Sequence, residues 1–505
     1  MTQVFTAPKI ICGGESRWVA DWISVSGGRI TDVGTGQPPA EGVRLDGVVL
    51  PGLIDSHVHL TTTGLYGSGL DFRECRSIGG LLETLEAFLR RDNATWVIGG
   101  NFDPGRNDDG KMPRRDELDR VAGERRLLIS RADGHSCALN SRGLEATHLD
   151  PALPGIELDD NGVATGVLTN QANYEARRQF FGALPAGRIV EAQKRACDIA
   201  LSRGVTAVHE MAGGSFMGDK DFDVLIDNRA TYPIHVKPYL ATFEIDKVIA
   251  AGLDCVGGDL FLDGSIGSRT AAMSAPYTDF DGSGFLYHED DKLIDWFVEA
   301  SRAGLQAGVH AIGDAAIEQA LRCIEAANIR LEGEGSLRAG EMRHRIEHFE
   351  CVSTQQLNRA AELKLIPSVQ PMFDGYWGGE GGMYQARLLE RASTMNPFRP
   401  MVDLGLMPAG GSDSTVTPLD PLMGMAAAMG HHERAYAVEF KDALDMFTIF
   451  GARAAREETE RGSIEKGKFA DFCVVETDLS SLAPDEIATL KVLETWVRGE
   501  RAFSQ

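Results

Sequence analysis

The stretch Val49-Leu50-Pro51-Gly52-Leu53-Ile54-Asp55-Ser56-His57-Val58-His59-Leu60 decides how the rest of the chain reads. It is an apolar run that breaks at Pro51-Gly52, resumes, and delivers two histidines one residue apart. Side chains alternate faces along a strand, so His57 and His59 project the same way and can grip one metal ion. The apolar run ahead of the pair fits a strand buried on both faces, as in an α/β sheet or barrel, better than a surface hairpin. An H-x-H pair alone is equally compatible with two polar side chains at a strand end, and the residues downstream tip the balance.

Composition narrows the classes. At 505 residues the chain is long enough for about two to four structural units, or for one large barrel with additions. Fifty basic against 74 acidic residues give a formal net charge of −24, which repels phosphate backbones and anionic lipid and so excludes nucleic acid and membrane as expected partners. The eight cysteines stand singly, without C-x-x-C, so reduced thiols are expected. No stretch approaches a membrane span, and Met1-Thr2-Gln3-Val4-Phe5 opens no export signal. A cytoplasmic protein acting on a small molecule is expected, with homo-oligomerisation left open.

The ends are strand-rich. Trp22–Val25 and Arg29–Val33, joined by Ser26-Gly27-Gly28, read as a hairpin, and Phe472–Val475 and Leu493–Val497 read as strands. One composite β-sandwich domain, built from residues 1–51 and 456–505, is expected. Between them, strand-like runs alternate with helical ones: Leu53–His59, Val205–His209, Ile234–Leu240, Leu260–Gly264, Ala307–Ile312, Arg345–Phe349, Leu365–Val369 and Met407–Asp413. These eight fit an α/β chain folded as a (β/α)8 TIM-like barrel over residues 52–455. Residues from about 62 to 185 exceed one βα connection and are expected to form an inserted subdomain after the first barrel strand.

His57 and His59, His310, His348 and Asp413 stand at the ends of the first, fifth, sixth and eighth of these runs. Barrel active sites are built at the C-terminal ends of the strands, where these side chains would converge. Such a set suits zinc, iron, cobalt or manganese with a coordination position left for water. Buried together without an ion or partner, it would be costly to desolvate.

At this point the chain resembles the amidohydrolase superfamily, in the branch of amidohydrolase family 3 that includes N-substituted formamide deformylase-like metal-dependent hydrolases. The resemblance rests on Pro51–His59, Arg131-Ala132-Asp133-Gly134-His135-Ser136, Asp263–Ala271, His310–Asp314, Arg345–His348 and Gly411-Ser412-Asp413. It implies that His57, His59, His310 and His348 are metal-site histidines and Asp413 the metal-linked acid/base, with His348 also catalytic. It further implies cleavage of a C–N bond of an amide, formamide or cyclic amide by metal-activated water. A deaminase acting on a heteroaromatic ring and a non-catalytic metal-stabilised binding barrel are the alternatives. Many relatives carry a carboxylated lysine, bridging two metals, four residues before Asp-Gly-Ser; here the position is Asp259. Its shorter side chain leads us to expect one tightly bound divalent ion, zinc first, with a weaker second site allowed. The resemblance places His135 over the barrel mouth, where it is expected to contact substrate or else to stabilise the insertion through Asp133. Arg269 is expected either to bind a substrate carboxylate or to pair with Asp263 or Asp314. His209 is expected to pack structurally, Lys237 to make an ion pair or solvent contact, and His431-His432 to lie on a solvated face.

Overall fold

Leu53–Val58 is buried at all six positions, as its unbroken apolar character requires of a strand covered on both faces. The computed structural model describes residues 2–14, 19–67, 70–104, 108–131, 134, 136–213, 218–333 and 342–505. They form two units, one of Met1–His59, Cys197–Ala212 and Arg229–Gln505, the other of Leu60–Ala196 and Gly213–Asn228.

In the first unit, Leu53–Val58 runs parallel to Val205–Gly213, which neighbours His235–Ala241. A second set pairs in parallel in the order Cys255–Val256, Gln306–Ala311, Arg345–His348, Ile366–Val369 and Ala409–Gly410. Backbone bonds link the two sets at both edges, His59 N to Ser414 O at 3.2 Å among them. Gly257 N donates to Leu240 O at 2.8 Å, and Asp413 N to His57 O at 2.8 Å. Helices such as Asp290–Arg302, Asp314–Gly333 and Thr354–Glu362 alternate with these strands, which makes the fold α/β. Asp314–Gly333 buries Ile317, Ala320, Leu321, Ile324, Ala327 and Leu331, a stripe at three- and four-residue spacing. Thr354–Glu362 begins at a capping box between Ser353 and Gln356.

One expected strand is displaced. Leu260–Gly264 is not a strand; pairing falls on Cys255–Val256, and Phe261 keeps only an isolated bridge to His310. Gly257 and Gly258, at φ 82° and 70°, take the left-handed backbone that extended chain cannot use, so the strand ends there and the next residue, Asp259, turns into the site.

Both termini meet in one sheet, ordered Glu500–Ser504, Val492–Val497, Phe472–Val475, Val48–Pro51, Gln3–Ile11, Val19–Ser26 and Arg29–Gly34, with Val43–Arg44 also on Gln3–Ile11. Its core centres on Phe5, whose ring lies 5.2 Å from Phe472 and 4.9 Å from Trp496, edge to face.

The second unit has its own sheet, ordered Ile156–Leu158, Ala164–Thr169, Ser136–Leu139, Arg126–Arg131 and Trp96–Phe102. Alternate residues of Arg126–Arg131 point to opposite clusters: Leu128 packs with Phe180, Phe181 and Ile189, while Leu127 and Ile129 pack with Leu81, Leu85 and Leu118. Among the described residues no helix is long and apolar enough to cross a membrane.

The contact between Leu53–Val58 and the segment that follows Ala409–Gly410 leaves no room for a side chain at Gly411. A Cβ there would lie 2.6 Å from His57 N and 2.9 Å from His57 Cβ. Gly411→Ala is therefore expected to cost about 1–3 kcal/mol in urea unfolding. Gly187→Ala, in open space within Ala186–Ser202, should cost nothing.

Candidate metal centre

Four imidazoles converge at the strand ends of the first unit, and each hands one ring nitrogen to a protein acceptor. His57 Nδ1 bonds Glu347 Oε2 at 2.9 Å, and His59 Nδ1 bonds the Met211 carbonyl at 2.9 Å. His348 Nδ1 bonds Gln370 Oε1 at 2.8 Å, and His310 Nε2 the Gly264 carbonyl at 3.3 Å. Each acceptor fixes a tautomer and turns the other nitrogen toward two carboxylates. His59 Nε2 lies 3.1 Å from Asp413 Oδ1, His57 Nε2 3.6 Å from the same oxygen, and His310 Nδ1 3.1 Å from Asp259 Oδ1. His57 Nε2 is buried and makes no hydrogen bond among the described residues. Three sets have ligand atoms spaced for one cation: His57, His59 and Asp259; His57, His348 and Asp413; Asp259, His310 and His348. The donor set, with its orphaned imidazole nitrogen, fits a divalent transition metal.

Beneath the site lies a buried ion pair. Arg345 is fully buried, with Nε 2.9 Å from Glu347 Oε1 and further bonds to the Ser56 carbonyl, Ser368 Oγ and His209 Nδ1. Its guanidinium stacks 4.5 Å over Tyr239. Glu347 thus connects Arg345 to His57. His348 and Asp413 both adopt left-handed backbone, at φ 69° and 51°. Such strain costs about 1–3 kcal/mol per residue and persists where neighbours hold it, here Gln370 on His348 and the His57 carbonyl on Asp413 N.

The electrostatics favour positive charge at the centre. Burial pulls the His59 pKa down, but the hydrogen bond and charge of Asp413 outweigh it and lift it to about 10. Burial likewise opposes protonation of His348, which Asp259 lifts to about 9. Burial pushes Glu347 up, yet Arg345 and then His57 hold it at about 2. Burial raises Asp55 to about 6 even though its carboxylate accepts from Ser412 N and His57 N.

His57, His59, His310, His348 and Asp413 are therefore brought together. Asp259, expected to be too short, touches both histidine pairs: Oδ2 is 3.7 Å from His59 Nε2, while Oδ1 is 3.1 Å from His310 Nδ1 and 3.6 Å from His348 Nε2. Lys237 is paired with Asp254 at 2.6 Å. His135 lies outside the described residues. Arg269 forms neither of the expected pairs; its guanidinium makes a two-pronged contact with Asp279, at 3.1 and 2.7 Å. His431 is buried rather than solvated, with Asp374 3.5 Å away, and His432 bonds the same carboxylate. Two residues were not anticipated: Glu347, third in Arg345-Ile346-Glu347-His348 and on the same strand face as Arg345 by the two-residue period, and Gln370, which carries no comparable signal.

The profile of the amidohydrolase family matches residues 46–503, and the chain belongs to that family. It is 26% identical to the N-substituted formamide deformylase of Arthrobacter pascens, covering 95% of this chain and 94% of that one. It is 28% identical to Protein LONG AFTER FAR-RED 3 of Arabidopsis thaliana, over 96% and 88% of the two chains. An uncharacterized metal-dependent hydrolase from Pyrococcus furiosus superposes with a TM-score of 0.80 at 25% identity, covering 95% of this chain and all of that one. The chain is accordingly a member of the metal-dependent amidohydrolase superfamily.

Two outcomes are expected. Glu347→Gln keeps the shape but weakens the acceptor on His57, and should reduce metal affinity about 10–100-fold in chelator competition. Without metal, His59 and His348 hold protons up to about pH 10 and 9, above an unfolded-state value near 6.5. Their stabilisation is complete below about pH 6.5 and lost as pH rises through 9 and 10. A metal must displace these protons, so its affinity should rise over the same range. Unfolding of the chelated protein and metal titration, both from pH 7 to 10, measure the two trends.

Proposed function

We propose that the first unit is a (β/α)8 barrel holding a zinc-type divalent ion, and that the chain hydrolyses a C–N bond of an amide, formamide or cyclic amide. The observation that carries this reading is the set of four tautomer-fixed imidazoles facing Asp259 and Asp413. When bound, the ion would acidify a water and polarise the scissile carbonyl. His57, His59, His310 and Asp413 would hold it, with His348 a ligand only where a second ion binds.

The protein's own groups then move the proton. Asp413 Oδ1, whose carboxylate is kept below the usual range against burial by the charge of His57 and the hydrogen bond of His59, is ionised at neutral pH and able to accept a proton from attacking water. The same oxygen, once protonated, delivers that proton to the departing amine. His348, pinned by Gln370 and flanked by the near-parallel ring of Phe373 at 6.0 Å, is aimed at the same space and is the second group able to carry a proton. His135 remains assigned to substrate contact. Arg269 is not carried forward, because Asp279 occupies its guanidinium.

A panel of N-substituted formamides, linear amides and cyclic amides, followed by amine release, tests the reaction; ammonia released from a heteroaromatic ring instead would make the enzyme a deaminase. On the substrate that is turned over, Asp413→Asn should retain fold and much of the metal while kcat falls about 10²–10⁴-fold. The double variant His57→Ala/His59→Ala should lose the metal by elemental analysis. Near-wild-type turnover by Asp413→Asn would move the proton-transfer role to His348.

A further inference from the structure

The first unit carries a hollow of about 700 Å³ that is separate from the metal centre. Its volume lies within the roughly 300–1,000 Å³ of small-molecule sites. Met273, Leu357, Leu388, Leu404 and Tyr436 give it an apolar wall. None of His57, His59, Asp259, His310, His348 and Asp413 lines it, although Cys351, three residues past His348, does. Three charged residues line it, and two are already answered. Asp403 accepts from Arg399 Nε at 2.8 Å. Asp314 accepts from Ser274 N at 2.9 Å and from Ser274 Oγ, and it opens the helix Asp314–Gly333, whose N-terminal partial charge offsets its own. Arg391 differs. Its Nη1 and Nη2 donate to the carbonyls of Ala275 and Pro276, at 3.1 and 2.5 Å, so two of its five N–H groups are spent on neutral acceptors, and among the described residues no carboxylate pairs with it. Ser353 and Thr354, also on the wall, begin the helix Thr354–Glu362, which has no acidic residue in its first turn to offset its own partial positive charge.

We propose that this hollow binds an amphipathic monocarboxylate, with its carboxylate on Arg391 and its apolar body against Met273, Leu357, Leu388 and Leu404. A guanidinium anchored by two carbonyls keeps three donors for an anion, and such charge-assisted bonds are the strong ones. The apolar wall supplies the rest of the affinity by burying the ligand's chain. Met273 and Leu388 belong to the apolar cluster that includes Phe373, the ring 6.0 Å from His348, so the ligand would rest on a cluster that also flanks the metal centre. The inference does not depend on the reaction proposed above.

The experiment is calorimetric titration of metal-loaded full-length protein with octanoate, set beside octan-1-ol, octylamine and acetate. Octanoate is expected to saturate one site per chain, with each of the other three about tenfold weaker or more, because the alcohol and the amine lack the anion and acetate lacks the chain. Arg391→Gln should weaken octanoate about 10–100-fold, whereas Arg391→Lys should keep most of its affinity. Leu404→Trp, at a side chain 40% exposed and therefore tolerant of a larger residue, should block octanoate by filling the hollow while retaining the wild-type circular dichroism. Chelator-stripped protein should bind octanoate as the loaded protein does. Octanoate binding no tighter than that of octan-1-ol, or unchanged in both Arg391→Gln and Leu404→Trp, would overturn the proposal. So would binding that disappears when the metal is stripped, since the carboxylate would then sit on the metal centre. None of these measurements uses turnover, so the hollow and the proposed hydrolysis stand or fall separately.

Discussion

The orientation of four imidazoles is the constraint on which the rest of the first unit depends. A histidine ring has two nitrogens, and an acceptor on one decides what the other can do. Here the four acceptors are of three kinds: the Glu347 carboxylate, the Met211 and Gly264 carbonyls, and the Gln370 amide. They come from four separate segments of the chain. Losing the position of any one segment frees a ring to rotate and removes a ligand, so the strand arrangement and the ligand set stand or fall together.

Arg345 and Glu347 show how this precision is held at the base of the site. A buried ion pair is weak support for stability, since desolvation offsets most of the Coulombic attraction, while removing one partner is costly, about 3–5 kcal/mol. What the pair contributes is direction. Arg345 reaches the Ser56 carbonyl and Ser368, tying the strand that bears His57 to those of residues 345–348 and 366–369, and it holds Glu347 ionised beneath His57. His209, kept neutral well below its ordinary pKa by burial and then by Arg345, completes the guanidinium's partners without adding charge.

The parts of this arrangement legible in the sequence are those with a local signature. His57 and His59 are legible because strand alternation puts them on one face, and His310, His348 and Asp413 because each stands at or near the end of a strand-like run. The fourth strand was misplaced because Leu260-Phe261-Leu262 is the more apolar run, yet Gly257-Gly258 ends the pairing before it and Phe261 is left with a single bridge. Arg269 pairs with neither Asp263 nor Asp314 because its partner, Asp279, lies ten residues away in a loop with no periodicity to follow. His431 was read as solvated because a His-His-Glu-Arg run is polar; its burial comes from Asp374, Phe398 and Tyr436, which only the folded chain brings to it.

The terminal sheet bears on the site through a single residue. Gly52 alone separates Val48–Pro51, in the sheet made by both chain ends, from Leu53–Val58, which carries His57. Gly52 N donates to the Asp471 carbonyl at 2.9 Å, and Leu53 N to the Gly204 carbonyl at 3.0 Å, so the junction is pinned from the C-terminal segment and from the neighbouring strand at once. Asp471 is itself held by Arg461 at 3.1 Å and by Arg498 N at 2.8 Å. Because the side-chain period of a strand is two residues, a one-residue slip at Gly52 would turn His57 and His59 away from Asp413 and bring Ser56 and Val58 round in their place. The C-terminal strand Phe472–Val475, paired with Pro51 through Val48, thereby fixes the register of a metal-site strand more than four hundred residues earlier in the chain.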